Sequence, residues 1–159
     1  MDWLEDDYVE LEDDHRSAAR PAGAVRVVIA DHSRLAAEAL MFTFDSDPKL
    51  DAIGYALDGW AALELVASHE PDVVVVGEGL TGLEQVPLVE LVHEAFPSVC
   101  TILLRGRLVP EEVRAAYAAG AHDCLPTSCS ADELLHAIQA ARGRQLASVR
   151  PREKAHERL

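Results

Sequence analysis

No stretch of this 159-residue sequence approaches the ~18–20 consecutive apolar residues that a helix needs to cross a bilayer. The opening residues, MDWLEDDYVELEDD, are acidic and lack the basic-then-apolar layout of an export signal. There are three cysteines, Cys100, Cys124 and Cys129, which cannot all pair within one chain. Without an export signal, they point to reduced thiols and a cytoplasmic location. Basic charge is scarce: 14 Lys and Arg stand against 28 Asp and Glu, for a net charge of −14. Only the segment from Arg142 onward reverses the balance, with six basic residues against Glu153 and Glu157. An acidic body repels phosphate backbones, so nucleic acid is not an expected partner of this chain alone, and neither is a membrane. No glycine-rich phosphate loop follows the first apolar strand, which removes the usual nucleotide-binding reading.

What is present is the composition of a globular protein, 49% hydrophobic and 26% charged, on a chain long enough for one domain with a core. Residues 1–24 read as an acidic, solvated and disordered arm that ends in the linker Arg20-Pro21-Ala22-Gly23-Ala24. Leu4, Tyr8 and Leu11 nevertheless fall at helical spacing with Trp3 beside them. The arm therefore has a second reading, an amphipathic helix that forms on a partner or back on its own domain. Residues 142–159 form a basic C-terminal tail after a domain at 25–141.

Within that domain apolar strands alternate with helical patterns. Val25–Ala30 is a strand, followed by a helix from Ser33 to Phe44 with Leu35, Ala39, Leu40 and Phe44 on one face. Ala52–Leu57 is a second strand, followed by a helix around 61–68. Pro71-Asp72-Val73-Val74-Val75-Val76-Gly77 reads as a strand buried on both faces, the pattern of a parallel sheet. A helix over 83–95 and a strand over 100–104 come next. Pro110 then opens a helix at its favoured first turn and Gly120 closes it. A short strand near 123–125 precedes the last helix, which Ser130 and Glu133 start as a capping box. This order predicts five parallel strands and five helices in a doubly wound α/β fold.

The words VRVVIADHSRLAAEAL, DGWAALEL, PDVVVV, AAGAHDCL and ADELLHAI, in this order, resemble the receiver domain of bacterial response regulators, notably the branch joined to a LuxR-type helix-turn-helix. The resemblance covers about residues 25–141 and implies a flavodoxin-like sheet of order 2-1-3-4-5. It also implies a site at the strand ends: two acids that hold Mg²⁺, a phosphoacceptor aspartate, a hydroxyl and a lysine. At those positions this sequence has Asp31 and His32, Gly77, Arg105 and Thr127. Ser128 and Cys124 replace the proline and the aromatic that many members carry. Glycine has no atom that can form an acyl phosphate, and Glu78, one residue on, is expected to point elsewhere.

These positions define a degenerate phosphorylation pocket of Asp31, His32, Gly77, Glu78, Arg105 and Thr127, with no cofactor expected. Arg105 has two readings, a charge-assisted reach across the gap to Asp31 or Glu78, or extension into solvent. His122, Cys124 and Cys129 fit no strong zinc spacing, and no nucleophile sits where Asp31 and His32 would activate it. The sequence thus predicts a stand-alone, non-enzymatic interaction module in signalling or transcriptional control, independent of phosphorylation. Its partner would be a regulator, a kinase or a transcription factor, and a homodimer also fits. Tyr117, on the small-sided helix AAYAA, is a further contact candidate beside the arm residues. The alternative is a sensor that binds a small molecule or anion in the vacated pocket. The end, SVRPREKAHERL, weakly resembles the opening of a LuxR-type DNA-binding domain, as of an output domain lost by truncation, but is better read as a basic helical tail, the likeness being so short.

Overall fold

The computed structural model describes residues 8–10 and 22–157, with side chains over 22–147. The elements are β1 (Tyr8–Glu10), β2 (Val25–Ala30), α1 (Arg34–Asp45), β3 (Leu50–Ala56), α2 (Gly59–His69) and β4 (Val73–Val76), then α3 (Gln85–Ala95), β5 (Cys100–Arg105), α4 (Pro110–Ala119), β6 (Asp123–Pro126) and α5 (Ala131–Glu157). They form one sheet of order β1-β3-β2-β4-β5-β6. From β2 onward every pairing is parallel, and these five strands alone run 2-1-3-4-5, as expected.

The valine strand sits at the centre because both of its faces are apolar. Val73 and Val75 pack with Phe44 of α1 and Ile138 of α5. Val74 and Val76 pack with Leu65 of α2 and Leu88 of α3 on the other side. All four valines are fully buried, each worth roughly 1.5–3 kcal/mol relative to exposure. The helix starts follow their caps: Ser33 Oγ accepts from the Ala36 N–H at 3.2 Å and Asp58 Oδ1 from the Ala61 N–H at 2.8 Å. Ser130 Oγ accepts from the Glu133 N–H at 3.1 Å. Gly120 closes α4 at φ 116°, a left-handed conformation, and a Cβ there would also run into the His93 ring of α3.

Two features differ from the sequence reading. Tyr8–Glu10 is neither solvated arm nor helix; it is a strand paired antiparallel to β3, with Tyr8 opposite Ala56 and Glu10 opposite Gly54. The free edge of a parallel sheet offers unpaired N–H and C=O groups, and that demand overrides a helical spacing of three apolar residues. Trp3, Leu4 and Leu11 lie outside the described residues. Next, the residues grouped above on one face of α1 divide: Phe44 is buried with Ala37 and Met41, while Leu35 and Ala39 are exposed. The helix carries two apolar stripes, and a 3.6-residue period cannot say which one meets the sheet. The basic tail is helical, as one of its two readings had it, and continues α5 without a break to Glu157. Its first turns are anchored by Arg142 to Asp72 (3.1 Å) and by Gln145 Nε2 to the Pro97 carbonyl (3.0 Å).

Candidate functional site

The carboxyl ends of β2, β4 and β5 bring the expected pocket residues to one edge of the sheet. Asp31 leaves β2 with its N–H on the Ala56 carbonyl at 3.0 Å, and its Oδ1 accepts from the Ser33 N–H at 2.9 Å. The second oxygen lies over the tip of β4. A Cβ on Gly77 would overlap Asp31 Oδ2 and come within 3.0 Å of Asp31 Cγ. The Asp31 carboxylate therefore fills the space that a side chain at position 77 would need. Gly77 itself continues the ladder, its N–H on the Ala30 carbonyl at 2.7 Å.

His32 sits between two oxygens. Its Nδ1 is 3.1 Å from the Glu78 carbonyl and 3.6 Å from Asp31 Oδ1, and its ring lies against Gly79. Gly79 has φ 82°, so glycine suits this position both for its backbone conformation and for the ring above it. Glu78 lies in the loop after β4 and turns toward the loop after β5. Its Oε1 accepts from the Gly106 N–H at 2.7 Å and so ties the loop after β4 to the loop after β5. Farther along, Gly82 packs under Trp60, and the Gly59 N–H reaches the Thr81 carbonyl at 3.2 Å. The loop from Gly77 to Leu83 is thus held from both sides and from below.

Arg105 follows neither sequence reading. Its guanidinium donates from Nη1 to Gln85 Oε1 and from Nη2 to Glu112 Oε2, both at 2.6 Å. The group is mostly buried, at 16% exposure, and its hydrogen bonds go to Gln85 and Glu112 rather than to Asp31 or Glu78. Gln85 is the residue the sequence reading missed. Among the described residues only Gln85 and Thr101 are buried polar side chains. Gln85 Nε2 donates to the Val76 carbonyl at 2.9 Å and the Leu104 carbonyl at 3.2 Å, bridging the ends of β4 and β5. Its position was detectable: it shares the helical phase of the buried Leu88, Val89 and Val92. Thr127 is exposed, and its N–H donates to the Arg105 carbonyl at 2.8 Å.

The donor set does not fit Mg²⁺. It consists of one carboxylate, already bonded to a backbone N–H and abutting Gly77, and an imidazole turned toward a carbonyl, where the ion favours several oxygens in octahedral array. Beside the pocket, between α3 and α4, lies an open cleft of about 650 Å³ bounded by Glu78, Glu84, Arg105 and Glu112. Three carboxylates outnumber one guanidinium that is already paired.

The other candidates scatter. Tyr117 is half-exposed on α4, with its hydroxyl 3.3 Å from Asp123 Oδ1, and burial and that carboxylate raise its pKa. His122 accepts from the Thr101 N–H at 3.2 Å, and burial lowers its pKa. Burial pushes the Cys100 thiol up to about 11 and raises Cys124 and Cys129 as well. Among the described residues no three His, Cys, Asp or Glu side chains converge as metal ligands would. No described helix is long and apolar enough to cross a membrane.

No protein-family model matches the chain. It is 29% identical over 113 residues to protein-glutamate methylesterase/protein-glutamine glutaminase 3 of Geobacter sulfurreducens, a match to 70% of this chain and 30% of that one. It is 28% identical over 123 residues to the transcriptional regulatory protein NarL of Mycobacterium tuberculosis, covering 77% of this chain and 57% of the regulator. The chain thus spans under a third of the methylesterase and just over half of the regulator. Among solved structures, the signal receiver domain of the Mycobacterium tuberculosis NarL superposes with a TM-score of 0.72 at 26% identity, covering 75% of this chain and 96% of that domain. The response regulator domain of Thermotoga maritima CheB superposes with a TM-score of 0.71 at 24% identity, which speaks for the fold alone.

Proposed function

The chain is built on a response regulator receiver domain of two-component signalling, and we propose that this domain is a protein-interaction module whose state is set without aspartyl phosphorylation. The observation that carries the reading is Gly77 at the tip of β4, with the Asp31 carboxylate in the space of the missing side chain. Chemistry adds to it: glycine cannot hold a phosphoryl group, the Mg²⁺ donors are reduced to one carboxylate, and the position of the neutralising lysine holds Thr127. The strand ends are instead held by internal bonds, Glu78 to Gly106 and Gln85 to Val76, Leu104 and Arg105. Groups that a phosphoryl transfer would rearrange already have partners. The domain then offers surfaces, and its partner is another signalling protein: a regulator, a kinase or a transcription factor.

The anion-sensor alternative is disfavoured by the same geometry. The space above Gly77 is taken by a carboxylate, and the neighbouring cleft is bounded by Glu78, Glu84 and Glu112. An enzymatic role would need a nucleophile beside Asp31 and His32, and His32 is engaged by a carbonyl instead. The test is direct. Incubated with Mg²⁺ and acetyl phosphate beside a phosphorylatable receiver as control, the intact protein keeps its unmodified mass. A labile phosphoryl adduct on Glu78 or on any aspartate would sink the reading.

A further inference from the structure

The last helix changes character at its middle. Leu134, Ala137, Ile138 and Ala141 are buried, whereas Gly143, Arg144, Leu146 and Ala147 are exposed. Gly143 stands at the change. No atom of a neighbouring element lies within 4 Å of where its Cβ would be, so packing does not demand a glycine there, and only proline is a weaker helix former. Just beyond it, the described contacts with the body converge on one imidazole. His122 Nδ1 accepts from the Thr101 N–H at 3.2 Å, so the neutral ring carries its proton on Nε2. The ring also hydrogen-bonds the Gln145 side chain. Gln145 Nε2 already donates to the Pro97 carbonyl at 3.0 Å, which leaves the amide oxygen to accept from the imidazole. Arg144 Nη2 adds a longer bond, 3.4 Å, to the His122 carbonyl.

We propose that His122 is an acid-sensitive latch, which docks the second half of α5 on the body while neutral and releases it on protonation, with Gly143 as the pivot. The imidazolium has an N–H on both nitrogens. A proton on Nδ1 would meet the Thr101 N–H, donor against donor, so the charged ring has to leave its place between β5 and α5. The surroundings oppose the charge as well. The titratable and charged groups that act on the ring are His93 of α3 and Arg144 of α5, both of basic type. Asp123, next in the chain, instead accepts from the Tyr117 hydroxyl at 3.3 Å and the Cys124 N–H at 2.8 Å. Burial first, then His93 and Arg144, lower the pKa of His122 below 6.5, against the opposing pull of the Gln145 hydrogen bond. The docked form thus binds a proton less readily than the released one. Docking is at full strength above pH 6.5 and is lost as pH falls through the lowered value. What comes free is the segment that carries Arg144, Arg150, Arg152 and Lys154.

The latch lies at the amino ends of the strands, away from Gly77, so it stands or falls separately from the phosphorylation result. Its test is amide hydrogen exchange of the intact chain at about pH 7.5 and about pH 5.5, corrected for intrinsic rates, with the His122 ring nitrogens followed by NMR. At the higher pH the ring is expected in the Nε2–H form. On acidification, protection at Gln145, Leu146 and Ala147 falls several-fold, about tenfold per pH unit being the ceiling for one proton. The valine strand Val73–Val76 stays protected. His122→Asn keeps an acceptor near Nδ1 but cannot titrate, so the acid response disappears. Gln145→Ala removes the α5 side of the latch without touching the core, and leaves residues 145–147 poorly protected at both pH values. His93→Gln retains the response. The proposal is overturned by equal protection of residues 145–147 at the two pH values, by an acid response that survives His122→Asn or Gln145→Ala, or by loss of the valine strand together with the extension.

Discussion

Gln85 is where the end of the sheet is most exposed to a single substitution. One amide satisfies two strand-end carbonyls and accepts from a guanidinium, all out of water. Gln85→Leu keeps the volume but leaves Val76, Leu104 and Arg105 each short of a partner. The expected loss is roughly 1–3 kcal/mol in urea-unfolding free energy. Arg105→Ala is expected to cost less, because its other partner, Glu112, is half-exposed and such pairs contribute under about 1 kcal/mol. The two residues share one network, so the double variant should fall short of the summed single effects by about 0.5 kcal/mol or more. Strict additivity would show that they act separately. At this scale the sequence was legible in part. The chemistry that Gly77, His32 and Thr127 can offer is legible from residue type alone. The partners of Arg105 do not, because a guanidinium of such reach finds whatever acceptor the fold places nearby.

Among the elements, β1 carries the clearest consequence. It contributes only three residues, joined to β2 by the fourteen residues from Leu11 to Ala24, and it covers the β3 edge. Each of its hydrogen bonds is worth about 1 kcal/mol at most, so the strand opens more readily than the sheet behind it. Removing residues 1–10 is expected to leave β2–β6 folded while speeding hydrogen exchange of the Gly54–Ala56 amides that face the arm. Unchanged exchange there would mean that the edge does not depend on β1. The same scale shows why the apolar residues of α1 were grouped on one face when they lie on two. Leu35, Ala39, Leu40 and Phe44 include one residue of the true buried stripe and two of the exposed one. Both stripes have helical spacing, and only the position of the sheet separates them.

For the whole molecule the dominant quantity is charge. With 28 acidic and 14 basic residues the folded chain repels itself, and local pairs such as Arg142–Asp72 and Arg105–Glu112 offset little of that. Raising salt from about 10 to 200 mM shortens the Debye length from roughly 30 Å to below 10 Å and should raise the thermal midpoint. A midpoint that falls instead would place the local ion pairs above the general repulsion. The charge is also divided along the chain. In sequence the acidic N-terminal residues flank β1, whereas Arg142, Arg144, Arg150, Arg152 and Lys154 lie on α5.

By itself the sequence determined the doubly wound parallel fold, since four consecutive valines bounded by proline and glycine can be buried on both faces only at the centre of such a sheet. It also determined that position 77 has no side chain to modify, a matter of covalent structure. Tertiary structure alone decided what fills the gap, because Asp31 is 46 residues away in sequence and reaches Gly77 only through the pairing of β2 with β4. It likewise decided that Arg105 is held by Gln85 and Glu112, and that the arm supplies a strand. Each of these depends on which groups the fold leaves without a partner, and local residue preference carries no record of that demand.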